Sequence, residues 1–567
     1  MKKQKRSAKA SAPASAEPAP RPRMWWPWVA ALAALAVVFT VYGPALNGAF
    51  VLDDRYLMFM SPAVAGKTLP AWIASSRPML MFSYWIDYQQ SGAEPHPYHV
   101  TNVFLHLLVS VLVALICARF LTWAKVDGRR RDVLAVFSGA LFLLHPLQTE
   151  SVAYVASRSE VLSVFFCFAA YALFLYKSDG PMKWPRALAI VVLFGAAVVT
   201  KEHTVMFPAL VLLTDYFWKR GGLRNNAILY GMIALAGAGG AAFVLRTLRS
   251  ADTVGFGMKD LSPGAYFFTQ CRVIWIYLRL FFLPLGQNVD ADIPLSRTLL
   301  DPGVIAGLVG LTAAVTAAWI YRKRWPLAAF GVFVFLLLLA PTSSFVPIKD
   351  VLAERRVYLP FLGLLLICLE FLRRLRTGQI VWAGAAVALA CATLTYQRSQ
   401  VWASPLALWQ DTVAKSPGKM RPRFQLAYAY YEQGQCPQAA GNYEAASKLT
   451  PLTYDLLVDW ALALDCAGRD SEAIYKLQQA QLFENSAHVH AELGMVYAKT
   501  GRVPEAIKEL AQAELIDPRF EMTYVYRGNI AEQTGNRAAA AREYQHALAI
   551  NPANSAARDA LVRVSGR

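Results

Sequence analysis

Long apolar runs recur along most of this chain, and they constrain its fold more than any other feature of the sequence. A helix that crosses the hydrocarbon core of a bilayer needs about 20 mostly apolar residues. Apolar residues make up 56% of the 567 residues, which is more than a soluble protein usually has. Eleven runs are candidate crossings: 24–45, 99–121, 133–145, 159–176, 186–200, 204–219, 226–246, 303–321, 325–341, 357–372 and 378–396.

The run 266–286 is also apolar, but it carries Arg272 and Arg279 on what would be one face of a helix. Basic loops of membrane proteins stay on the cytoplasmic side. With a cytoplasmic N-terminus, the basic segments 321–324 and 373–376 obey this rule only if the 266–286 run does not cross. We therefore predict an all-α membrane domain over residues 24–398, with eleven crossings and one interfacial or re-entrant helix.

The formal net charge of +18 does not indicate nucleic-acid binding, because the Lys and Arg residues cluster between the apolar runs. Residues 1–23 are basic and rich in Ala, Pro and Ser, a composition typical of a disordered tail, which we place in the cytoplasm. The run that follows is long enough to span a bilayer and has no clean small-residue cleavage site. We interpret it as a retained anchor.

From residue 404 onward the sequence becomes polar and Ala-rich and repeats with a regular period. Four glycines stand 34, 33 and 34 residues apart, and four prolines fit the same period: Gly434, Gly468, Gly501, Gly535, Pro417, Pro451, Pro518 and Pro552. This is the period of tetratricopeptide (TPR) repeats, each of which is a pair of antiparallel helices. We predict a partial helix and four repeats over 404–567, on the outer side of the membrane. The concave face suits an extended peptide or, equally, docking of another protein.

Five of the seven cysteines lie in apolar segments, where a free thiol behaves as a small hydrophobe. Cys436 and Cys466 lie in the repeat region, near neighbouring turns. If that side of the membrane is oxidising, these two cysteines are candidates for a disulfide.

Polar clusters gather on the predicted outer face. Asp53 and Asp54 open the first outer loop, at about residues 48–98, and five further clusters lie on the same side: 145–151, 157–160, 201–204, 287–296 and 341–360. Alone, the aspartates have an equally good explanation as an exposed turn. Ionisable groups at a membrane are costly, so their convergence on one face indicates a site.

Several segments together resemble one family. "FVLDDRYL", "HPLQTESVAYVASRSEVL", "KEHTVMFPALVLLTD" and "LAERRVYLP", followed by the repeats, are similar to the TMTC proteins, which are transmembrane and TPR-containing O-mannosyltransferases, and to their bacterial relatives. The resemblance implies a GT-C glycosyltransferase fold, a carboxylate pair in the first outer loop, and a sugar donor linked to a polyprenyl phosphate. Carried over, the pair is Asp53 and Asp54, of which we favour Asp53 as the base.

Sugar transfer to a hydroxyl needs a carboxylate to accept the hydroxyl proton and cations to stabilise the departing phosphate. Candidates for phosphate binding are Arg272, Arg279, Arg355, Arg356, Lys201 and Arg77, with interfacial snorkelling or helix capping as the alternative. Candidates to contact the sugar or to support such contacts are His145, Glu150, Arg158, Glu160, Glu202, His203 and Glu354. A structural, hydrogen-bonded role is the alternative for the two histidines. The sequence leaves open whether Asp53 and Asp54 hold a divalent cation such as Mg²⁺ or Mn²⁺.

These observations predict an integral-membrane, inverting glycosyltransferase that modifies Ser/Thr of an exported protein recruited by the repeats. Two alternatives stay open: an oligosaccharide transferase, and a membrane scaffold for pilus or envelope-polysaccharide assembly with a non-catalytic GT-C core. The composition favours a bacterial inner membrane, with the repeats in the periplasm. The sugar, the lipid chain and the acceptor are not predicted.

Overall fold

The computed structural model describes residues 26–566, apart from 62–63, 65, 127, 178–179, 219–221, 251–254, 256–257 and 259–260. The predicted tail, residues 1–23, lies outside the described residues. The described part is all-helical and has no β-strand, as the sequence predicts. It divides into a membrane-type domain and a helical repeat array.

A helix forms in each of the eleven predicted runs and in the 266–286 run, with shorter helices between them. The helices up to the repeats are α1 Trp26–Val41, α2 Leu69–Ile73, α3 Pro78–Ser91, α4 Pro95–Trp123, α5 Gly128–Leu144, α6 Thr149–Ala153, α7 Arg158–Leu175, α8 Trp184–Val198, α9 Phe207–Trp218, α10 Gly222–Asn225, α11 Ala227–Ser250, α12 Pro263–Phe282, α13 Val304–Tyr321, α14 Pro326–Leu339, α15 Phe361–Leu372 and α16 Thr377–Val401.

Not all of these helices have the length of a full crossing. Among the described residues, four are long and apolar enough by length and composition, namely α4, α7 with the turn before it, α13 and α16, and the number is six if two bent pairs each count as one span. The bent pairs are α1 with residues 43–56 and α5 with residues 146–153, bent by 58° and 51°. Eleven crossings and the orientation therefore stay predictions.

Close backbone approach holds neighbouring membrane helices together where the hydrophobic effect is weak. Gly331 on α14 faces Gly363 on α15, and a Cβ atom added to either glycine would lie 2.5 Å from the carbonyl oxygen of the other. These two helices therefore pack with almost no space between their backbones. Larger side chains such as Phe330 and Leu362 fill the core on either side.

The repeat array contains the four predicted helix pairs. A single helix, α17 Pro405–Lys415, precedes the pairs α18 Met420–Glu432 and α19 Cys436–Ser447, α20 Tyr454–Cys466 and α21 Asp470–Phe483, α22 Ala487–Lys499 and α23 Val503–Ile516, and α24 Glu521–Gln533 and α25 Arg537–Ile550. The glycine between the helices of each pair has a positive φ of 69° to 81°, which explains the glycine period. A further helix, α26 Ser555–Val564, packs on the last pair.

Cys436 and Cys466 form a disulfide, with Cα atoms 5.6 Å apart. It joins the start of α19 to the end of α20, so it links the first repeat to the second. The other five cysteines are free.

The array is fixed to the membrane domain through both apolar and charged contacts. Trp402, Leu408 and Trp409 form one buried cluster with Val51 and Tyr154 of the membrane domain; Leu426 and Ala429 of the first repeat belong to the same cluster.

Polar contacts add to this interface around Asp290, which is buried. Lys419 and Arg421 both pair with Asp290, and Arg421 also reaches Asp350 at 2.9 Å. The hydroxyl of Ser416 accepts a hydrogen bond from the side chain of Asn288 at 2.7 Å. The first repeat is therefore packed against the loops at residues 287–292 and 350 through both apolar and charged contacts.

Candidate active site

Asp53 and Asp54 lie in a short 3-10 helix, Leu52–Tyr56, and their side chains have opposite environments. Asp54 is fully buried, and its two carboxylate oxygens accept hydrogen bonds from the backbone N–H groups of Val51 at 3.1 Å and Ala156 at 2.6 Å. Asp53 is exposed, and within the described part of the chain its carboxylate has no hydrogen-bond or ion-pair partner. Asp54 is therefore committed to holding the loop, while Asp53 is free to accept a proton.

The backbone that carries Asp53 is held in a strained conformation. Leu52 has a φ of 51°, in the left-handed region that residues other than glycine rarely adopt. The N–H of Asp53 donates to the hydroxyl of Tyr154 at 2.9 Å, and the Tyr154 ring stacks on Trp402 with centroids 6.0 Å apart. Such strain persists only where surrounding contacts enforce it, and it concentrates at functional sites.

Arg355 contacts the Tyr154 ring that supports Asp53. Its guanidinium lies 5.9 Å from the centroid of the Tyr154 ring. It forms a short ion pair with Glu150, and its backbone N–H donates to the second oxygen of the same carboxylate at 3.2 Å. Burial opposes the charge of Arg355, but Glu150 overcomes this effect and the pKa of Arg355 is raised. Arg355 is therefore a permanent cation close to Asp53.

Two further predicted cations lie in ion pairs of the same face. Arg77 donates to both carboxylate oxygens of Glu202, at 3.2 and 3.0 Å. Lys201 donates to Glu160 at 2.5 Å, and Nε2 of His203 lies 3.3 Å from the other oxygen of Glu160 without forming a hydrogen bond. The segment 201–204 thus connects the first outer loop to the start of α7.

Arg77, Lys201 and Arg355 share one electrostatic neighbourhood. Burial lowers the pKa of Lys201, Glu160 opposes this effect, and the charges of Arg77 and Arg355 lower the pKa further. Burial acts to raise the pKa of Glu202, but Arg77 outweighs it and the pKa is lowered. Charges influence pKa values in this way only over short distances. The structure therefore brings together three of the six predicted phosphate-binding residues.

Glu354 and Arg356 are adjacent to Arg355 but face the protein interior. Glu354 accepts hydrogen bonds from the side chain of Gln287 at 2.8 Å and from the N–H of Asn288 at 2.7 Å. Burial raises the pKa of Glu354 to about 7. Arg356 donates to the Tyr266 hydroxyl at 3.1 Å and to backbone carbonyls. Both side chains hold the loop that presents Arg355.

Arg272 and Arg279 lie on α12 and contact the segment that follows it. Arg272 donates to the carbonyl of Pro294 at 3.2 Å and to the hydroxyl of Ser296 at 2.9 Å. Arg279 donates to the carbonyl of Leu285 at 3.0 Å. These contacts brace residues 283–296 and do not join the Asp53 loop. Phosphate binding by this pair stays a prediction.

His145 has both ring nitrogens engaged. Nε2 donates to the carbonyl of Phe281 at 2.9 Å, and Nδ1 accepts from the N–H of Leu147 at 3.2 Å. The ring also stacks on that of Phe281, with centroids 5.4 Å apart. The structure therefore agrees with the structural role that we gave as the alternative for this histidine.

Arg158 is fully buried beneath the first outer loop. It pairs with Asp87 at 2.6 Å, donates to Asn102 at 2.7 Å, and lies 4.6 Å from the centroid of the Tyr84 ring. Sequence reasoning did not single out Asp87. The available signal was an acidic side chain in the otherwise apolar and aromatic helix α3.

The residues present offer few ligands for a divalent cation. Among the described residues, no group of three or more His, Cys, Asp or Glu side chains is close enough to hold a metal ion. Asp54 uses both oxygens on backbone amides, so only Asp53 has a free carboxylate. A bound ion would take most of its ligands from the donor phosphate and water, as Mg²⁺ often does.

Comparison with curated proteins adds a likeness over most of the chain. "Protein O-mannosyl-transferase TMTC3" of Mus musculus is 23% identical over 92% of this chain, and "Protein O-mannosyl-transferase F38B6.6" of Caenorhabditis elegans is 24% identical over 72% of it. "Protein O-mannosyl-transferase TMTC1" of Homo sapiens is 23% identical over 72%. The chain is TMTC-like. It spans 64% of the length of the Mus musculus relative, 61% of the Caenorhabditis elegans relative and 54% of the Homo sapiens relative.

Solved structures match the TMTC-like chain over part of its length. The "Crystal structure of MamA" is 21% identical, covers 26% of this chain and 86% of its own, and has a TM-score of 0.23. The "Crystal structure of YrrB: a TPR protein with an unusual peptide-binding site" is 20% identical, covers 27% and 80%, and also has a TM-score of 0.23. No protein-family model matches the chain. The repeat fold rests on the helix pairs of the chain itself.

Proposed function

We propose that this chain is an integral-membrane inverting glycosyltransferase that moves a sugar from a polyprenyl-phosphate donor to Ser/Thr hydroxyls of an exported protein. The observation that carries the proposal is the free, exposed carboxylate of Asp53 on a loop held by Tyr154, whose ring Arg355 contacts. Arg355 in turn shares one electrostatic neighbourhood with Lys201 and Arg77. The names of the relatives make mannose the first sugar to test and a protein the first acceptor.

The proposed reaction is a single displacement. The acceptor hydroxyl oxygen forms a bond to C1 of the sugar, and the bond from C1 to the phosphate oxygen breaks with its electron pair on the phosphate. The hydroxyl proton passes to Asp53, and polyprenyl phosphate leaves. Because attack and departure are in line, the anomeric configuration inverts. Phosphate is already a good leaving group, so the reaction needs no second carboxylic acid, unlike glycoside hydrolysis.

The cation cluster supports binding of the departing phosphate. Arg355 is 22% exposed at its side chain, Arg77 38% and Lys201 18%, so each retains an accessible part. Each is paired with a carboxylate of the protein. A donor phosphate would share these cations with Glu150, Glu202 and Glu160, and charge-assisted hydrogen bonds to arginine and lysine are strong enough for that competition.

The domain arrangement supports delivery of a polypeptide acceptor. Arg55, two residues after Asp53, lies 4.6 Å from the centroid of the Tyr428 ring on the first repeat. The Cys436–Cys466 disulfide agrees with an oxidising compartment. We therefore propose a bacterial inner-membrane protein with its N-terminus in the cytoplasm and its repeats in the periplasm. We also propose Mg²⁺ or Mn²⁺ as an optional metal ion bound by Asp53.

The scaffold function has one observation in its favour, which is that the three cations are neutralised by partners within the protein. Removal of residues 451–567 distinguishes the two functions. It keeps α17 to α19, which pack on the outer loops, and it removes the last three repeats. A transferase keeps measurable transfer to a simple Ser/Thr acceptor, whereas a scaffold loses its function entirely.

The decisive test is mass spectrometry of exported proteins from cells with the wild type, with Asp53→Asn, or without a copy. We expect a sugar-sized Ser/Thr modification to disappear in both altered strains. If the Asp53→Asn strain retains the modification that the null strain loses, Asp53 is not the base. If no modification differs between wild type and null, the transferase proposal is wrong.

A further inference from the structure

The first helices of the repeats form a connected surface that carries several acidic residues. α18 contacts α20, and α22 contacts α24. The hydroxyl of Tyr454 on α20 lies 3.3 Å from Nδ1 of His488 on α22, so the first helices of successive repeats lie side by side. They carry the acidic groove, which we define as Asp455, Asp459, Glu492, Tyr431 and Tyr526.

The residues of the acidic groove are mutual neighbours. Burial raises the pKa of Tyr431, and the nearby charges of Glu492 and Asp459 raise it further. The hydroxyl of Tyr526 donates to Glu492 at 3.0 Å. These residues come from four different repeats, so the groove runs along the array rather than across one repeat. Two tyrosines flank the most buried acid.

Two of the three acids of the groove, Asp455 and Asp459, lack counter-charges among the described residues. In the described part of the chain, the carboxylates of Asp455 and Asp459 have neither a hydrogen-bond nor an ion-pair partner. Their like charge and partial burial raise the pKa of Asp459, with burial the larger cause, to about 6. A cation placed between them would relieve this repulsion.

Glu492 supplies the second, independent sign of a ligand. It is 5% exposed, and one of its oxygens accepts from Tyr526 and lies 3.7 Å from Nε2 of His488, whose pKa is lowered by burial. The other oxygen is buried without a hydrogen-bond partner in the described part of the chain. Buried polar atoms are almost always satisfied, and an exception calls for a missing partner. Burial raises the pKa of Glu492 to about 7. Glu492 lies close to both Tyr431 and Tyr526, so an amine or guanidinium bound there would have both a charge and aromatic rings to contact.

The groove continues toward the candidate active site. Tyr428 and Tyr431 are three residues apart on α18 and therefore share a face. Tyr428 contacts Arg55, which follows Asp53 by two residues. The face of α18 that carries Tyr431 of the groove therefore also contacts the loop that carries Asp53.

We propose that the acidic groove binds an extended, Lys- or Arg-bearing segment of the acceptor polypeptide and directs its Ser/Thr residues to Asp53. The direction toward Asp53 rests on the proposed transferase function, but the binding itself does not. Extended segments suit solenoid grooves, because backbone and alternate side chains contact successive repeats.

The experiment measures binding by the full-length protein in lipid nanodiscs, with fluorescein-labelled peptides of alternating Lys and Ser, Gln and Ser, or Glu and Ser. We expect the Lys peptide to bind more tightly than the Gln peptide, the Glu peptide to bind least, and the preference to weaken with added salt. The double variant Asp455→Asn with Asp459→Asn should lose about tenfold in affinity for the Lys peptide, since it removes two ion pairs.

A matched control is the double variant Glu472→Gln with Glu505→Gln. It changes the net charge equally, but both glutamates lie on second helices, with side chains 56% and 45% exposed. We expect it to bind the Lys peptide like the wild type. Equal weakening by both double variants would mean a general charge effect and would overturn the proposal, as would equal binding of the Lys and Gln peptides by the wild type.

Asp53→Asn separates this inference from the transferase proposal. Its groove is intact, so it should bind the Lys peptide with wild-type affinity even if transfer is abolished. If the wild type binds the Lys peptide but has no transfer activity, the proposed reaction is wrong and the groove proposal stands. Wild-type transfer activity combined with equal binding of the Lys and Gln peptides would overturn the groove proposal and leave the transferase proposal standing.

Discussion

Asp53 and Asp54 are adjacent in sequence, yet substitution should affect them in opposite ways. Asp54 accepts hydrogen bonds from the N–H groups of Val51 and Ala156 in a fully buried position. Leaving a buried N–H without an acceptor costs about 1–3 kcal/mol. Asp54→Ala leaves two N–H groups without an acceptor, so it should destabilise the outer loops by about 2–6 kcal/mol. Asp54→Asn retains one acceptor oxygen and should cost about half as much. Asp53→Asn removes no contact and should change stability by less than about 0.5 kcal/mol.

The same substitutions should affect the transfer rate in a different order from stability. A positioned general base contributes about 10²–10⁴ to a rate, so Asp53→Asn should reduce kcat by that factor while the thermal unfolding temperature stays unchanged. Asp54→Asn acts through the position of Asp53, so its transfer rate should fall less and its unfolding temperature should fall by a few degrees.

The assay follows both quantities on protein in nanodiscs, by transfer of labelled mannose from a polyprenyl-phosphate donor to a Ser/Thr peptide and by scanning fluorimetry. A pH profile separates the two roles further, since only a substitution of the base should remove the acid limb of kcat. Full transfer by a folded Asp53→Asn protein would refute the assignment of the base. An unchanged unfolding temperature for Asp54→Ala would refute the structural role of Asp54.

Four further outcomes follow from the structure. Arg355→Lys keeps a cation beside its carboxylate partner but loses the planar fork, so single-turnover transfer should slow at least about tenfold with little loss of fold. Cys436→Ser opens a disulfide of sequence separation 30 and should destabilise the repeats by about 3 kcal/mol, an effect that reductant should reproduce in the wild type but not in the variant. Burial raises the pKa of Glu492 from its ordinary 4.5 to about 7, so the folded state keeps a proton that the unfolded chain has lost between these values. The free energy of unfolding should therefore be highest below the lower pKa and fall by up to about 3 kcal/mol as the pH rises through the higher one, and Glu492→Gln should flatten this slope in denaturant titrations. Gly331→Leu places a side chain where even a Cβ atom lies 2.5 Å from the facing carbonyl, so it should lower membrane-domain stability by several kcal/mol, visible as loss of monodisperse protein in detergent.

The repeats were predictable because their signal is local. A glycine is needed wherever the backbone turns between two helices with a positive φ, as at Gly434 and Gly468, and this need recurs with the period of the fold. The final helix α26 has no counterpart in that period, so the sequence did not indicate it.

The residues that form the site were less predictable than the location of the site. The outer-face clusters could be grouped by topology alone, and three of the cations do converge. The partners of individual side chains depend on packing between distant segments, as with Asp54 and Ala156, which are 102 residues apart, or Arg77 and Glu202, which are 125 apart. A pattern of residue types cannot tell which of two adjacent aspartates turns inward.

The attachment of the first repeat to the membrane domain has a consequence for the choice of modified residue. Lys419 and Arg421 hold Asp290, and the apolar cluster around Trp409 joins the same two parts, so the first-repeat end of the groove is attached to the loops near Asp53. In the proposed enzyme, the array therefore sets the distance along the acceptor between the residue bound in the groove and the hydroxyl that is modified. The spacing between the captured basic residue and a hydroxyl would select the site of transfer, and acceptors with no common sequence around that hydroxyl would still be modified at a common interval.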